Sequence, residues 1–175
     1  MPDYEKLPAR ADGGLVHVVV ETPRGARAKF KYDPKLKVFA FSRTLLLGLT
    51  YPYDWGFIPS TRGEDGDPID VMILHEAATA PGVVVTCRPI AILNVLQSEK
   101  GKEDRRNDRI LAVPAEEGHQ TPWNDADDLH EGLKDELQRF FIASVALQED
   151  KKLRFLGWGN AAEAQTSIDD HLVAG

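Results

Sequence analysis

The sequence predicts a mainly β chain with α (α+β), a small β-barrel with two C-terminal helices packed outside it. Three observations lead there. Short β-branched runs bounded by Pro, Gly and Asp recur between Leu15 and Val113. The apolar spacing turns helical from Asp127 onward. At 175 residues and 42% apolar content the chain can bury one substantial core, so 1–175 reads as a single domain.

Residues 1–14 are polar, hold two prolines and end in Gly13-Gly14, and are expected to form a loosely held arm. Leu15 to Glu21 is β-branched and reads as a strand, stopped by Thr22-Pro23-Arg24-Gly25. Ala28–Tyr32 and Val38–Phe41 read as a hairpin joined through Asp33-Pro34-Lys35. Tyr51 to Pro59 is aromatic and punctuated by Pro and Gly, hence a structured loop or short strand. Ile69–Leu74, Val83–Arg88, Ile90–Leu96 and Ile110–Val113 complete this set of strands, with Pro81-Gly82 as a turn and Pro89 as a bend. Gln97 to Arg109 is a loop with five basic and four acidic residues. Its composition is that of a solvated loop, and its length and charge also suit a flap over an anion.

The helical stretch repeats Leu129, Leu133, Leu137 and Phe140 or Phe141, with Val145 and Leu147 beyond. Asn124 to Asp128 offer N-caps and negative charge at its start. Leu153–Leu156 reads as a strand. Asn160-Ala161-Ala162-Glu163 reads as a capping box, opening a last helix that buries Ala164, Ile168 and Leu172.

A net charge of −7 without a basic, aromatic-interleaved stripe argues against nucleic-acid binding. No apolar run approaches the length of a membrane span, and the N-terminus lacks a signal-peptide core. The lone Cys87 excludes an internal disulfide, reads as a packed thiol and suits a reducing cytoplasm. None of the five histidines has metal-ligand spacing, and no GxSxG, P-loop or GxGxxG is present.

Chemistry concentrates in Glu64-Asp65-Gly66-Asp67-Pro68-Ile69-Asp70, just before and into a strand. Gly66 and Pro68 turn the chain. Asp65 and Asp67 can point toward one centre, and Asp70 can converge from the strand. Converging carboxylates repel unless a hard cation neutralises them. Oxygen-only donors favour Mg²⁺, Mn²⁺ or Ca²⁺ over Zn²⁺. Taken alone, the same residues also fit a solvated acidic turn.

The turn is accompanied by Glu21 at the end of the first strand, Lys29 eight positions on, Arg43 closing the hairpin, and Tyr51-Pro52 before Gly56. With Cys87-Arg88-Pro89, Ala112-Val113-Pro114 and Gly157-Trp158, this order resembles the soluble family I inorganic pyrophosphatases from about Leu15 to Leu172. The resemblance implies an OB-like five-stranded barrel and Mg²⁺-dependent hydrolysis of pyrophosphate by direct attack of a metal-activated water. It implies Asp65 and Asp70 as Mg²⁺ ligands, Asp67 as general base, and Glu21 as an outer or direct metal ligand. Lys29 and Arg43 would grip phosphate oxygens, and Tyr51 would support the metal cluster or the electrophilic phosphate. A cytoplasmic homo-oligomer, in bacterial members commonly a hexamer, is also implied.

The chain departs from that pattern at identifiable positions. Lys31 stands where the family has glutamate, and Trp55 where it has tyrosine. The second acidic cluster aligns with Gln97-Ser98 and with Asn107-Asp108-Arg109, so Arg109 keeps a cation suited to bidentate phosphate binding and Asp108 is expected to bind metal by a one-residue shift, with Glu99, Glu103 or Asp104 as further candidates. The family's Tyr-Lys pair on the long helix aligns with Ser144 and Val145, and Lys100, Lys102, Arg105 or Arg106 would replace the lysine from the flap. These departures keep two alternatives beside pyrophosphate hydrolysis: another phosphoanhydride or phosphate ester as substrate, or a weak paralogue that binds phosphate-like ligands.

Overall fold

The computed structural model of the protein describes residues 2–174. In chain order the strands are β1 (Val16–Thr22), β2 (Ala28–Asp33), β3 (Val38–Thr44), β4 (Asp54–Ile58), β5 (Ile69–Ile73), β6 (Val84–Glu99), β7 (Arg105–Arg106), β8 (Arg109–Pro114) and β9 (Lys151–Gly159). The helices are α1 (Glu131–Ser144) and α2 (Ala161–Asp170). Five strands, in the order β1-β4-β5-β8-β6, curl until β6 pairs back onto β1, so the sheet closes on itself. The β5–β8 pair is parallel and the other four contacts of the ring are antiparallel. β2 and β3 form a separate hairpin, as expected.

β6 is one strand of 16 residues where two were expected on either side of Pro89. Pro89 is accommodated by a register shift between Pro89 and Ala91, where a missing N–H costs the ladder little. Its first part pairs with β1; its second part runs beyond the ring and takes β9 and the short β7. The expected loop 97–109 is correspondingly shorter and pinned by β7.

Alternation along the shared strands separates two cores. Val71 and Ile73 of β5, with Ile110 and Ala112 of β8, pack toward Ala164 and Ile168 of α2. Met72 and Leu74, with Leu111 and Val113, pack toward Leu137, Phe140 and Phe141 of α1. Both faces of these central strands are therefore apolar, which explains their continuous hydrophobic runs.

The helix ends follow local capping chemistry. Asn160 accepts the Glu163 N–H and Glu163 accepts the Asn160 N–H, completing the expected capping box of α2. The cap expected for α1 from residues 124–128 serves an earlier single turn, Ala126–Asp128, closed by Asp125. His130 caps α1 itself by accepting the Gly132 N–H.

The loosely held arm expected for residues 1–14 is corrected by the packing, with Met1 outside the described residues. Ala9 is buried, its carbonyl accepts the His17 N–H, and Arg10 bridges to Val16. Tyr4 sits edge-on to Tyr32 and Phe39 at 5.3 and 5.1 Å between centroids. Buried aromatic area offsets the ordering entropy that the polar composition suggested would win.

Among the described residues no helix is long and apolar enough to cross a membrane. Where β4 crosses β1, Gly56 leaves no room for a side chain: a Cβ there would lie 2.0 Å from the Val19 carbonyl oxygen. Gly56→Ala is expected to destabilise the protein by about 3 kcal/mol or more, lowering its melting temperature by roughly 10 °C in a thermal scan.

Candidate active site

The acidic turn is rigidly built. Gly66 takes a left-handed φ of 87°, its N–H reaches the Gly63 carbonyl, and the Gly63 N–H reaches the Asp67 carbonyl at 2.8 Å. Asp65 Oδ1 accepts the Asp67 N–H at 3.1 Å, so the side chain helps hold the turn that carries it. Asp70 follows on β5 in parallel register with Arg109 of β8, and their side chains meet at 3.3 Å. Arg109 lies over the rings of Trp55 and Phe141, each 5.6 Å from its Cζ. A buried guanidinium is thus sandwiched between a carboxylate and two aromatic faces.

The opposite wall comes from the hairpin and β1. Lys29 and Arg43 are direct cross-strand partners. Arg43 donates to the Ser144 carbonyl at the end of α1 at 2.9 Å. Glu21 is buried, and its Oε1 accepts the Tyr32 N–H at 2.8 Å. Tyr51 is buried edge-on against Phe140 with 5.0 Å between centroids. A cavity of about 280 Å³ lies between the walls, lined by Asp65, Asp67, Asp70, Glu21, Lys29, Arg43, Tyr51 and Arg109 among others. Residues distant in sequence, from Glu21 of β1 to Arg109 of β8, are therefore brought together.

One expected residue is not. Asp108 is turned away from this cavity: it accepts the Val95 N–H at 2.8 Å and both Arg106 Nε and Nη2 at 3.0 and 2.9 Å. It borders a groove beside α2 instead. Strand alternation gives the reason, because Asn107 and Arg109 occupy the cavity face and the residue between them must point to the other. The one-residue shift proposed for metal binding reverses the side chain's face. In the cavity Asn107 donates to Gln97 Oε1 at 3.0 Å, a neutral pair.

The structure adds residues that the sequence pattern did not assign. Lys31 reaches Asp67 Oδ2 at 2.6 Å, placing an ammonium on the carboxylate expected to act as base. Of the four flap cations considered, Arg105 lines the cavity, beside Glu99 at 3.3 Å. Arg106 faces outward, toward Asp108 and Asn94. Lys151 of β9 also lines the cavity. Its signal was the pairing of Lys151 with Glu99, a register invisible without the fold. Trp55 keeps the aromatic wall while its indole N–H is buried without a partner.

Burial dominates the protonation of the wall. It raises Glu21 to about 7, with the Tyr32 N–H and Lys29 opposing it. It lowers Lys29 to about 8, against the attraction of Asp70 and helped by Arg43. Burial also raises Asp70, with Arg109 and Lys29 pulling it back, and raises the Tyr51 phenol. Each group is held nearer neutrality than in water, as expected where charges lack their intended counter-ions.

Among the described residues no three acidic, His or Cys side chains close a cage around an ion. Mg²⁺ commonly takes one or two carboxylates and completes its shell with water and phosphate oxygens. Asp65 and Asp70, oxygen donors on one wall of one cavity, fit that requirement. The positions of the second acidic cluster, Gln97, Ser98 and Asn107, are neutral and do not form a further site of that kind.

A closed five-stranded sheet whose main cavity is lined by both an acidic turn and a lysine–arginine pair defines a β-barrel-like protein with a pocket of mixed, concentrated charge. The family model described as inorganic pyrophosphatase matches residues 18–174. The inorganic pyrophosphatase of Synechocystis is 37% identical over 156 residues, 89% of this chain and 89% of that protein. That of Thermus thermophilus is 39% identical over 156 residues, covering 88% and 86%. Its crystal structure superposes with a TM-score of 0.87 at 34% identity, over 96% of this chain and 95% of that one. The chain belongs to the soluble family I inorganic pyrophosphatases.

The raised Glu21 group contributes stability that is full below its ordinary value of 4.5 and is lost as pH rises through about 7. Glu21→Gln, which keeps an acceptor for Tyr32, should therefore stabilise the metal-free protein by roughly 1–3 kcal/mol at pH 8. The gain should disappear near pH 4.5, as read by melting temperature across the pH series.

Proposed function

We propose that this protein hydrolyses inorganic pyrophosphate to two phosphates with Mg²⁺ as its cofactor. The observation that carries the reading is the gathering of Asp65, Asp67 and Asp70 opposite Lys29 and Arg43 in one cavity of the family's fold. Pyrophosphate is a compact polyanion that repels any anionic nucleophile until its charge is screened. Mg²⁺ held by Asp65 and Asp70, with Glu21 nearby, would supply Lewis-acid polarisation and an acidified water.

The protein's own residues do the rest. Lys29 and Arg43 bind and orient phosphoryl oxygens, and Arg109 adds a guanidinium fixed by Asp70 and its aromatic bed. Asp67 takes the proton of the attacking water on Oδ1, since Lys31 occupies Oδ2. Tyr51, kept neutral by burial, offers its phenol to a phosphoryl oxygen or the metal cluster. Phe140, Phe141 and Trp55 make a dry wall that strengthens these charges.

The same reading makes the protein a cytoplasmic homo-oligomer. Leu47 is 92% exposed and Phe41 63%, apolar surface that self-association would cover. A monomer by light scattering across micromolar concentrations would remove that part.

Phosphate release from pyrophosphate should require Mg²⁺ and fall by about 10²–10⁴-fold in Asp67→Asn. Turnover only of nucleotide or ester substrates would reassign the substrate. Lys31 puts an ammonium close enough to feel Asp70, where it repels a divalent cation, so Lys31→Gln should lower the half-saturating Mg²⁺ concentration by about two- to fivefold.

A further inference from the structure

The acidic turn and the strand that carries Arg105 meet behind the cavity as well as across it. Asn107 gives its N–H to the Val95 carbonyl of β6 at 2.9 Å. Successive N–H groups along a strand point to opposite sides, so that of Arg106 points away from β6. It is taken by Glu64 Oε2 at 2.7 Å, a short bond to a charged acceptor. β7 is thus held along one edge by β6 and along the other by the residue immediately before Asp65. The Arg106 side chain is fixed as well, on Asp108 and on Asn94 at 2.8 Å, and Asp108 is itself anchored to the Val95 N–H. A cleft of about 30 Å³ marks the junction, bordered by Glu64, Arg106 and Asp108 and by Asp65 and Asn107, which also line the main cavity. Glu64 is exposed and lies outside that cavity's lining. The backbone of the turn otherwise closes on itself, with the Gly63 N–H on the Asp67 carbonyl and Arg62 on the Gly66 carbonyl at 3.0 Å. Its spacing from β7 is therefore set by Glu64.

We propose that Glu64 is a positioning residue, a latch that fixes Asp65 relative to the wall bearing Arg105 and Asn107 and so sets the affinity of the cavity for a divalent cation. The assignment rests on the proposed reading of Asp65 as a metal ligand, and it adds a residue outside the cavity that governs that ligand. The carboxylate works as an acceptor. An amide at the same position would still take the Arg106 N–H, whereas a methyl group would not. Without the acceptor, β7 is a two-residue edge strand held from one side only, and such short pieces open locally at little cost. Linkage makes the coupling reciprocal: an ion held at Asp65 orders the turn and thereby protects the Arg106 N–H.

The test uses the full chain, stripped of metal on chelating resin, with Mn²⁺ titrated by calorimetry and amide exchange at Arg106 followed by NMR. Glu64→Gln and Glu64→Ala remove the same charge, but only the second removes the acceptor. Asp65→Asn reports whether the ion sits at the turn. Wild type should bind Mn²⁺ more tightly than Asp65→Asn, and Glu64→Gln should stay within about threefold of wild type. Glu64→Ala should bind about five- to tenfold more weakly than Glu64→Gln, with Arg106 exchange about tenfold faster in the metal-free protein. Equal Mn²⁺ affinity in Glu64→Gln and Glu64→Ala would reduce the residue to a charge and overturn the latch. Unchanged exchange at Arg106 in Glu64→Ala would overturn it too. Equal binding by wild type and Asp65→Asn would instead remove the metal reading of the turn, an outcome distinct from either of those.

Discussion

The parallel pairing of β5 with β8 is the constraint to which the rest of the molecule is fitted. It sets Asp70 beside Arg109, and a buried guanidinium cannot be left without a carboxylate or an aromatic face. Trp55 from β4 and Phe141 from α1 supply those faces, which fixes where α1 can pack. The same register puts Met72 and Leu111 under α1 while Val71 and Ile110 go to α2. A one-residue slip would exchange the two cores and carry Asp70 out of the cavity.

Upon that frame the cavity carries charge that its own partners satisfy only in part. Glu21 and Lys29 are both driven toward their neutral forms by burial, yet a ligand that brings cation and anion together would favour the charged form of each. The departures from the family pattern run in a consistent direction. Neutral Gln97 and Asn107 stand on one wall, where Glu99 is engaged by Arg105 and Lys102, and Lys31, Arg105 and Lys151 put positive charge into the space.

Much of this was legible in the sequence, for physical reasons that differ by element. The acidic turn, the hairpin and the second helix's capping box are local, so their residues announce them. β5 and β8 were legible as buried strands because both of their faces are apolar. Family order supplied Glu21, Lys29, Arg43 and Tyr51, which share no local motif. Three things resisted. The single length of β6 was hidden by Pro89, whose cost vanishes at a bulge. Asp108 looked equivalent to its neighbour until strand alternation turned it toward Arg106. Lys151 had no distinguishing context, because its place depends on a pairing with Glu99 made across 52 residues. Composition likewise misread residues 2–14, where a few aromatic contacts outweigh many polar ones.

Arg43 spends one guanidinium nitrogen on the carbonyl of Ser144, at the negative end of the α1 dipole. The last turn of that helix and the position of the guanidinium thereby become linked quantities. Whatever immobilises the guanidinium also suppresses fraying beyond Ser144, and a frayed end would let the arginine swing away from its station. The segment from Ser144 to Gln148, held by turns in which the Val145 and Gln148 N–H groups reach the Ile142 and Val145 carbonyls, thus couples the rim of the cleft to β9.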